Sequence, residues 1–327
     1  MNWALVIHTM APEHLLLLGI VVTVLTSLAD ERPQLAASVA IVTALAAAVA
    51  AASLAVSGGT WVPFPGQFSV NPASALAKAV VLGLAVPVLM LTWREALPAR
   101  AAPLLLGSLY GTCLMLSADS FLTLFIGLEL MSLPVYVLVL MGDQRGPGAE
   151  GALKYLVLGG AGSATLLMGA ALLFGATGSL GIDSFTTGIA LGSALPLAGA
   201  ALVLLAFFLK AAIVPLHAWA PDAYQGASLP VTAYMATIIK AGALLAALRL
   251  FGTSTLSPGI AGLLLMLPLA SMVWGNLTAM RQDSLRRMLA YSSIAHAGYL
   301  YFAFVGAGEG RFEAVLFYLV AYGLMNV

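Results

Sequence analysis

The stretch Ala36-Ala-Ser-Val-Ala-Ile-Val-Thr-Ala-Leu-Ala-Ala-Ala-Val-Ala-Ala-Ala-Ser-Leu-Ala-Val56 decides the fold. Its 21 residues hold no charge, no glycine and no proline. A strand of a membrane barrel alternates apolar and polar residues over about ten positions. This run does not alternate, and neither does Leu15–Leu28. A helix needs about 20 apolar residues to cross the hydrocarbon of a bilayer. The run is therefore read as one spanning helix. The earlier run is also read as a span rather than a cleavable signal. No Lys or Arg precedes it, and Asp30-Glu-Arg-Pro33 follows it in place of a small-residue cleavage site.

The rest of the chain agrees. Of 327 residues, 61% are hydrophobic and 8% charged, and the mean hydropathy is +1.03. A soluble domain carries about 25% charged residues. Such a chain cannot clothe itself for water, so the lipid bilayer is its expected surroundings. Thirteen basic and thirteen acidic residues cancel. That balance excludes a polybasic nucleic-acid binder and an acidic disordered tail. The single cysteine, Cys113, excludes a disulfide scaffold and a cysteine-ligated cluster within this chain.

Charge, glycine and proline punctuate eleven apolar segments: 13–29, 34–56, 73–93, 101–118, 119–141, 149–174, 195–219, 228–251, 258–280, 286–306 and 312–327. The eleventh meets no terminator at Val327, so the chain is expected to be cut short within a helix. Loops after odd-numbered segments hold Arg32, Arg94, Arg100, Arg145, Arg281, Arg286 and Arg287, and loops after even-numbered ones only Arg249 and Arg311. The positive-inside bias then puts the odd loops in the cytoplasm and the N-terminus on the periplasmic side. Gly159, Gly160, Gly162 and Ser163 in the sixth segment are expected to let helices approach closely.

The lysines carry the chemistry. There are four, Lys78, Lys154, Lys210 and Lys240, and none lies in a clear loop. A charge at the bilayer centre costs about 2.5–3.5 kcal/mol on insertion scales. Lysine, unlike arginine, loses its proton readily when buried. By segment depth, Glu129 and Lys240 fall at mid-bilayer, Lys210 somewhat past the middle, and Lys154 about a turn from the cytoplasmic end. A carboxylate and amines at one depth make a proton-exchanging row parallel to the membrane. A structural ion pair with Glu129 is the plainer alternative. Lys78 is expected to snorkel to the interface, and Lys154 has that alternative too.

Prolines mark the same places. In Glu129-Leu-Met-Ser-Leu-Pro134 and Lys210-Ala-Ala-Ile-Val-Pro215 the proline follows the charge by five residues. Each ring clashes with the carbonyl four residues back, that of Leu130 or Ala211. Pro134 and Pro215 are thus expected to break their helices beside the charge. Broken helices at membrane depth mark ion sites, and packing kinks are the alternative. His217 follows Pro215 and can relay protons or hold an interface. His296, among apolar neighbours, can relay protons or join two helices by a hydrogen bond. Asp222 is expected to cap a helix. No histidine pair has metal-ligand spacing, and no nucleophile elbow or phosphate loop is present. No catalytic, cofactor-binding or metal-binding residue is assigned to the chain.

These residues carry a resemblance. The chain resembles the antiporter-like membrane subunits of respiratory complex I, the NADH–quinone oxidoreductases, most closely their subunit N branch. The carrying stretches are Phe125-Ile-Gly-Leu-Glu-Leu-Met-Ser-Leu-Pro134, Ala152-Leu-Lys-Tyr-Leu156 with Gly175-Ala-Thr-Gly-Ser179, Phe208-Leu-Lys-Ala-Ala-Ile-Val-Pro-Leu-His-Ala-Trp-Ala-Pro-Asp-Ala-Tyr-Gln-Gly226, and Ala290-Tyr-Ser-Ser-Ile-Ala-His-Ala-Gly-Tyr299. The resemblance runs from about residue 70 to the end.

The resemblance implies an all-α polytopic membrane protein with inverted five-helix repeats, each containing a broken helix. Residues 1–100 would hold three N-terminal helices, 101–251 the first repeat, and 252–327 the start of an incomplete second repeat. It implies that Glu129 modulates Lys210, and that Lys210 and Lys240, with Lys154, pass protons along the central axis. The function implied is proton translocation in the bacterial inner membrane, driven by electron transfer from NADH to quinone in partner subunits. NADH, FMN, iron–sulfur clusters and quinone would belong to those partners, with neighbouring antiporter-like and small membrane subunits in contact. Two other functions fit the same residues: a subunit of a multi-subunit sodium/proton antiporter, or a non-conducting assembly subunit.

Overall fold

The computed structural model describes residues 3–29, 32–142, 146–251, 258–305 and 310–326. Arg145 and Val327, which bear on the expected orientation and on the end of the chain, lie outside them. Helices dominate the architecture, and eight of the described ones are long and apolar enough to cross a membrane. Every expected segment is helical. Ten are helices of one piece, from Ala11–Ala29 and Pro33–Ser57 through Leu229–Phe251 to Arg311–Met325. The seventh breaks after Ala211 and resumes as Trp219–Gly226.

The chain forms two compact units. The first comprises Met1–Leu138, Leu229–Gly242 and Val320–Val327. Its helix Pro33–Ser57 buries a stripe of small side chains, Ala36, Ala40, Ala44, Ala47 and Ala51, at helical spacing. That stripe lets neighbouring backbones come close, which substitutes in lipid for the missing hydrophobic drive. Helix Pro72–Arg94 starts on a reciprocal cap: Asn71 accepts from the Ser74 amide and Ser74 accepts from the Asn71 amide. Pro72 at the first helical position loses no hydrogen bond there.

Between these two helices lies a hairpin that the apolar pattern does not announce. Strands Trp61–Phe64 and Phe68–Val70 pair antiparallel around Gly66, whose φ is +71°. At seven strand residues they are too short to show an alternation. The hairpin is tied to the start of helix Phe121–Leu140. Ser69 donates to the Asp119 carboxylate at 2.7 Å, and Ser120 donates to the Gln67 side-chain oxygen at 2.8 Å.

Pro134 does not break its helix, contrary to the expectation from its spacing. Phe121–Leu140 runs through it. Neighbouring groups lean on this stretch. Ser108, on Ala101–Leu116, donates to the Met131 carbonyl at 2.7 Å, and Ser132 donates to Leu128 one turn back. Gly111 on the same neighbour lets its backbone close onto residues 130 and 131. A Cβ there would lie 2.3 Å from the Met131 amide nitrogen.

Lys78 does not snorkel either. It is fully buried and faces Glu13, itself 1% exposed, at 2.6 Å.

The second unit comprises Val139–Ser228 and Ala243–Leu319. Its helices Pro147–Thr177 and Ala194–Ala211 cross on a reciprocal glycine contact. A Cβ on Gly169 would meet the Gly199 carbonyl at 2.7 Å, and one on Gly199 would meet that of Gly169 at 2.9 Å. Of the glycines expected to do this, Gly162 packs on Leu209, whereas Gly160 faces open space.

Gly111→Val should therefore lower the thermal stability of the detergent-purified chain. Overpacking of this kind costs about 1–3 kcal/mol. Gly107→Ala, whose Cβ would sit an ordinary 3.8 Å from Pro134, should leave the melting temperature nearly unchanged.

Candidate functional site

Depth is set by the helices. Lys240 stands eleven residues from either end of Leu229–Phe251. Lys210 stands sixteen residues from either end of the broken stretch running from Ala194 to Gly226. Both lysines are buried, at 2% and 1% exposure. Glu129 is half-buried, eight residues into its helix.

Within the first unit, the helices of Glu129 and Lys240 meet. Gly242, two residues past Lys240, packs against Met131, two residues past Glu129. A Cβ on Gly242 would lie 3.2 Å from the Met131 sulfur and 2.7 Å from Thr112. Met235–Ile239, the turn just before Lys240, is a π-helical bulge. Such bulges insert a residue, turn the following side chains, and recur at functional sites. Apolar periodicity carries no mark of one, so the sequence reading missed it.

Within the second unit, the break beside Lys210 is built by backbone geometry. Ala212 adopts a left-handed conformation, φ +60°. The Ile213 amide donates to Phe208 at 2.8 Å and the Ala212 amide to Leu209 at 3.2 Å, a double closure of the helix end. Alanine in this conformation is strained by about 1–2 kcal/mol. The helix thus ends four residues before Pro215. Its stop is the left-handed turn, and not a clash of the Pro215 ring with the Ala211 carbonyl inside a helix. Side chains take up the exposed backbone. The Trp219 indole donates to Leu209 at 2.9 Å, and the Val214 amide donates to the Ser271 hydroxyl at 2.8 Å. His217 lies in this non-helical bridge, its ring 6.4 Å from those of Trp274 and Tyr291.

Lys154 has other partners. Its ammonium donates to Asp222 at 2.5 Å and to Glu150 at 2.6 Å. Arg287 holds the second Asp222 oxygen at 2.7 Å and the Gln225 side chain at 2.9 Å. Arg286 donates to the Ala227 carbonyl at 2.9 Å. Asp222 therefore does not cap a helix. It sits inside Trp219–Gly226, preceded by Ala218 at the cap position, because two cations claim its carboxylate. Tyr155 stacks on Trp219 with centroids 4.2 Å apart, which fixes the second half of the broken stretch to the Lys154 helix. Arg287 and Lys154 were missed as partners of Asp222, because residues 65 and 68 positions apart give no local signal, whereas Glu150 lies four residues before Lys154, a helical spacing the sequence reading could have used.

His296 joins two helices: its Nδ1 lies 2.7 Å from the Tyr318 hydroxyl.

Burial pushes the Asp222 carboxyl up, but hydrogen bonds from Lys154 and Arg287 outweigh it and hold it below the ordinary carboxylate range. A depressed folded value means that its contribution to stability is full above the unfolded value of about 3.9. That contribution is lost as pH falls through the folded value.

Known proteins were compared with this arrangement. The family profile described as NADH:quinone oxidoreductase/Mrp antiporter, TM, matches residues 118–327. The NADH-quinone oxidoreductase subunit N of Pelobacter propionicus is 34% identical over 98% of this chain and 69% of its own length. That of Bdellovibrio bacteriovorus is 42% identical over 68% of this chain and 48% of its own length. The chain thus spans between about half and about two thirds of these relatives. A chain of respiratory complex I from Thermus thermophilus superposes with a TM-score of 0.79 at 34% identity, covering 96% of this chain and 69% of that one.

Asp222→Asn should lower the melting temperature at pH 7 and flatten its decline toward pH 3, whereas the parent should lose stability only at the acid end. Ser271→Ala should cost about 1 kcal/mol by leaving the Val214 amide without its acceptor, read by thermal unfolding in detergent.

Proposed function

We propose a function on the premise that the chain belongs to the NADH-quinone oxidoreductase subunit N family, within the membrane family shared with the Mrp antiporters. It is a membrane subunit of a proton-translocating NADH:quinone oxidoreductase and contains no redox centre of its own. NADH, FMN, iron–sulfur clusters and quinone belong to partner subunits. Electron transfer there drives proton movement here. The membrane is the bacterial inner membrane, with the N-terminus on the periplasmic side.

The observation that carries this reading is the burial of Lys210 and Lys240 at the midpoints of their stretches. Each ammonium is held in a low-dielectric slab, where desolvation penalises its charged form. The carbonyl end of helix Ala194–Ala211 favours a cation at Lys210. Opposed effects of this kind leave the proton easy to move. One pKa unit is about 1.4 kcal/mol, and one charge against 100 mV is about 2.3 kcal/mol. A change of two units in a lysine's proton affinity is enough to move one proton against such a potential.

In this reading Glu129 tunes Lys240 through the helix contact at Met131 and Gly242, and tunes Lys210 as the family resemblance implies. Lys210 and Lys240 hand protons along the membrane axis. His217 in the bridge and His296 with Tyr318 extend the relay. The break at 212–218 and the bulge at Met235–Ile239 are the places where the two lysine segments change geometry. Lys154, held by Asp222 and Glu150, orients the end of the broken stretch and supplies an entry charge.

The test is Lys210→Met in the assembled complex, reconstituted in vesicles. Protons moved per electron should fall, and Lys240→Met should act in the same direction. An unchanged ratio for both would remove the function. Sodium-dependent proton exchange in vesicles without NADH would instead favour the antiporter alternative.

A further inference from the structure

The first unit contains a buried charge pair. Glu13 on Ala11–Ala29 and Lys78 on Pro72–Arg94 approach to 2.6 Å with 1% and 0% exposure. Lys78 also lies over the Phe68 ring of the hairpin, 4.8 Å from its centroid. The pair sits close to one membrane face. Lys78 is six residues inside the Pro72 end of its helix, about 9 Å by helical rise, and the hairpin that joins the two neighbouring helices covers it from that side.

The pair differs from the ionic cluster around Asp222 in one respect. Around Asp222 both carboxylate oxygens receive aligned hydrogen bonds, from Lys154 and Arg287. The Glu13 oxygens and the Lys78 nitrogen make only a charge contact, without aligned hydrogen bonds. A buried ion pair recovers its desolvation penalty only with good geometry and further hydrogen bonds, and apolar residues of similar volume often serve stability as well or better. A structural role is thus poorly served by this pair.

Other titratable groups face the pair from the elements packed on it. Helix Ala101–Leu116 supplies Tyr110 and Cys113, both within charge range of Glu13. Tyr110 is half-buried. Helix Pro33–Ser57 and the hairpin carry no titratable side chain. Tyr234, on the helix packed against that of Lys78, is turned to the Leu105 carbonyl. His14, next to Glu13, is exposed, and His8 meets the Trp61 ring edge-on.

We propose that Glu13 and Lys78 form a second proton-exchange site, which takes up and releases one proton near that membrane face. Uptake places a proton on a Glu13 carboxylate oxygen and leaves a neutral acid beside the Lys78 ammonium. Release restores the ion pair. The proton comes from that face and returns to it, and no electron moves. The inference rests on the proton-translocating function proposed above.

The experiment compares four complexes reconstituted in vesicles: the parent, Glu13→Leu with Lys78→Met, Glu13→Gln, and Lys210→Met as a control. The double variant keeps volume and leaves no unpaired charge, so it should assemble and pump fewer protons per electron than the parent. A buried-carboxyl infrared band that changes during turnover should vanish in Glu13→Gln. A double variant that pumps like the parent, while Lys210→Met does not, would make the pair structural and overturn the inference. If Lys210→Met and Lys240→Met, run alongside, both pump like the parent, the proposed function falls and this inference with it. Persistence of the carboxyl band in Glu13→Gln overturns the site even if the double variant fails to assemble.

Discussion

In the hydrocarbon of a bilayer no water bonds to an open backbone group, and each such group costs several kcal/mol. The rest of this structure depends on that constraint. A helix satisfies it automatically, and a break does not. The break at 212–218 is tolerated because its exposed groups find partners: Leu209 receives the Trp219 indole, Phe208 the Ile213 amide, and Ser271 the Val214 amide. Beside Pro134, Ser108 bonds the Met131 carbonyl and Gly111 admits the neighbouring backbone. Non-helical backbone within this membrane chain is thus bought with side chains from neighbouring helices, and Lys210 stands at its edge.

The same low dielectric divides the charges into two kinds. Around Asp222 the cations and the carboxylate are partly exposed and bonded. They fix geometry: Lys154 and Arg287 reach Asp222 from two other helices, and Tyr155 on Trp219 completes the clamp. Lys210, Lys240 and the Glu13–Lys78 pair lie inside, where holding a charge is expensive. Charges of the first kind position the broken stretch. Those of the second kind have the physical character needed to exchange protons.

Much of this was legible in the residues. Long uncharged runs such as Ala36–Val56 give spanning helices because length and apolarity act locally. The break beside Lys210 was legible because Pro215 marks it, although the left-handed Ala212, which no pattern flags, does the stopping. Pro134 misled, since whether a proline breaks a helix depends on what leans on it. Lys78 misled for a similar reason: its partner Glu13 is 65 positions away, and snorkelling is the rule only for a lysine without one. The hairpin at Trp61–Val70 and the bulge before Lys240 were not legible. The first is too short for a period, and the second is one residue out of phase in an otherwise regular helix.

The central claim is that buried lysines change protonation as the complex turns over. Isotope-edited infrared spectroscopy of lysine-labelled complex in vesicles tests it most directly, with Lys210→Met and Lys240→Met spectra assigning the bands. The account predicts ammonium bands at Lys210 and Lys240 that weaken and recover with each change in redox load. Bands of constant intensity through turnover, in a complex that still pumps, would contradict it.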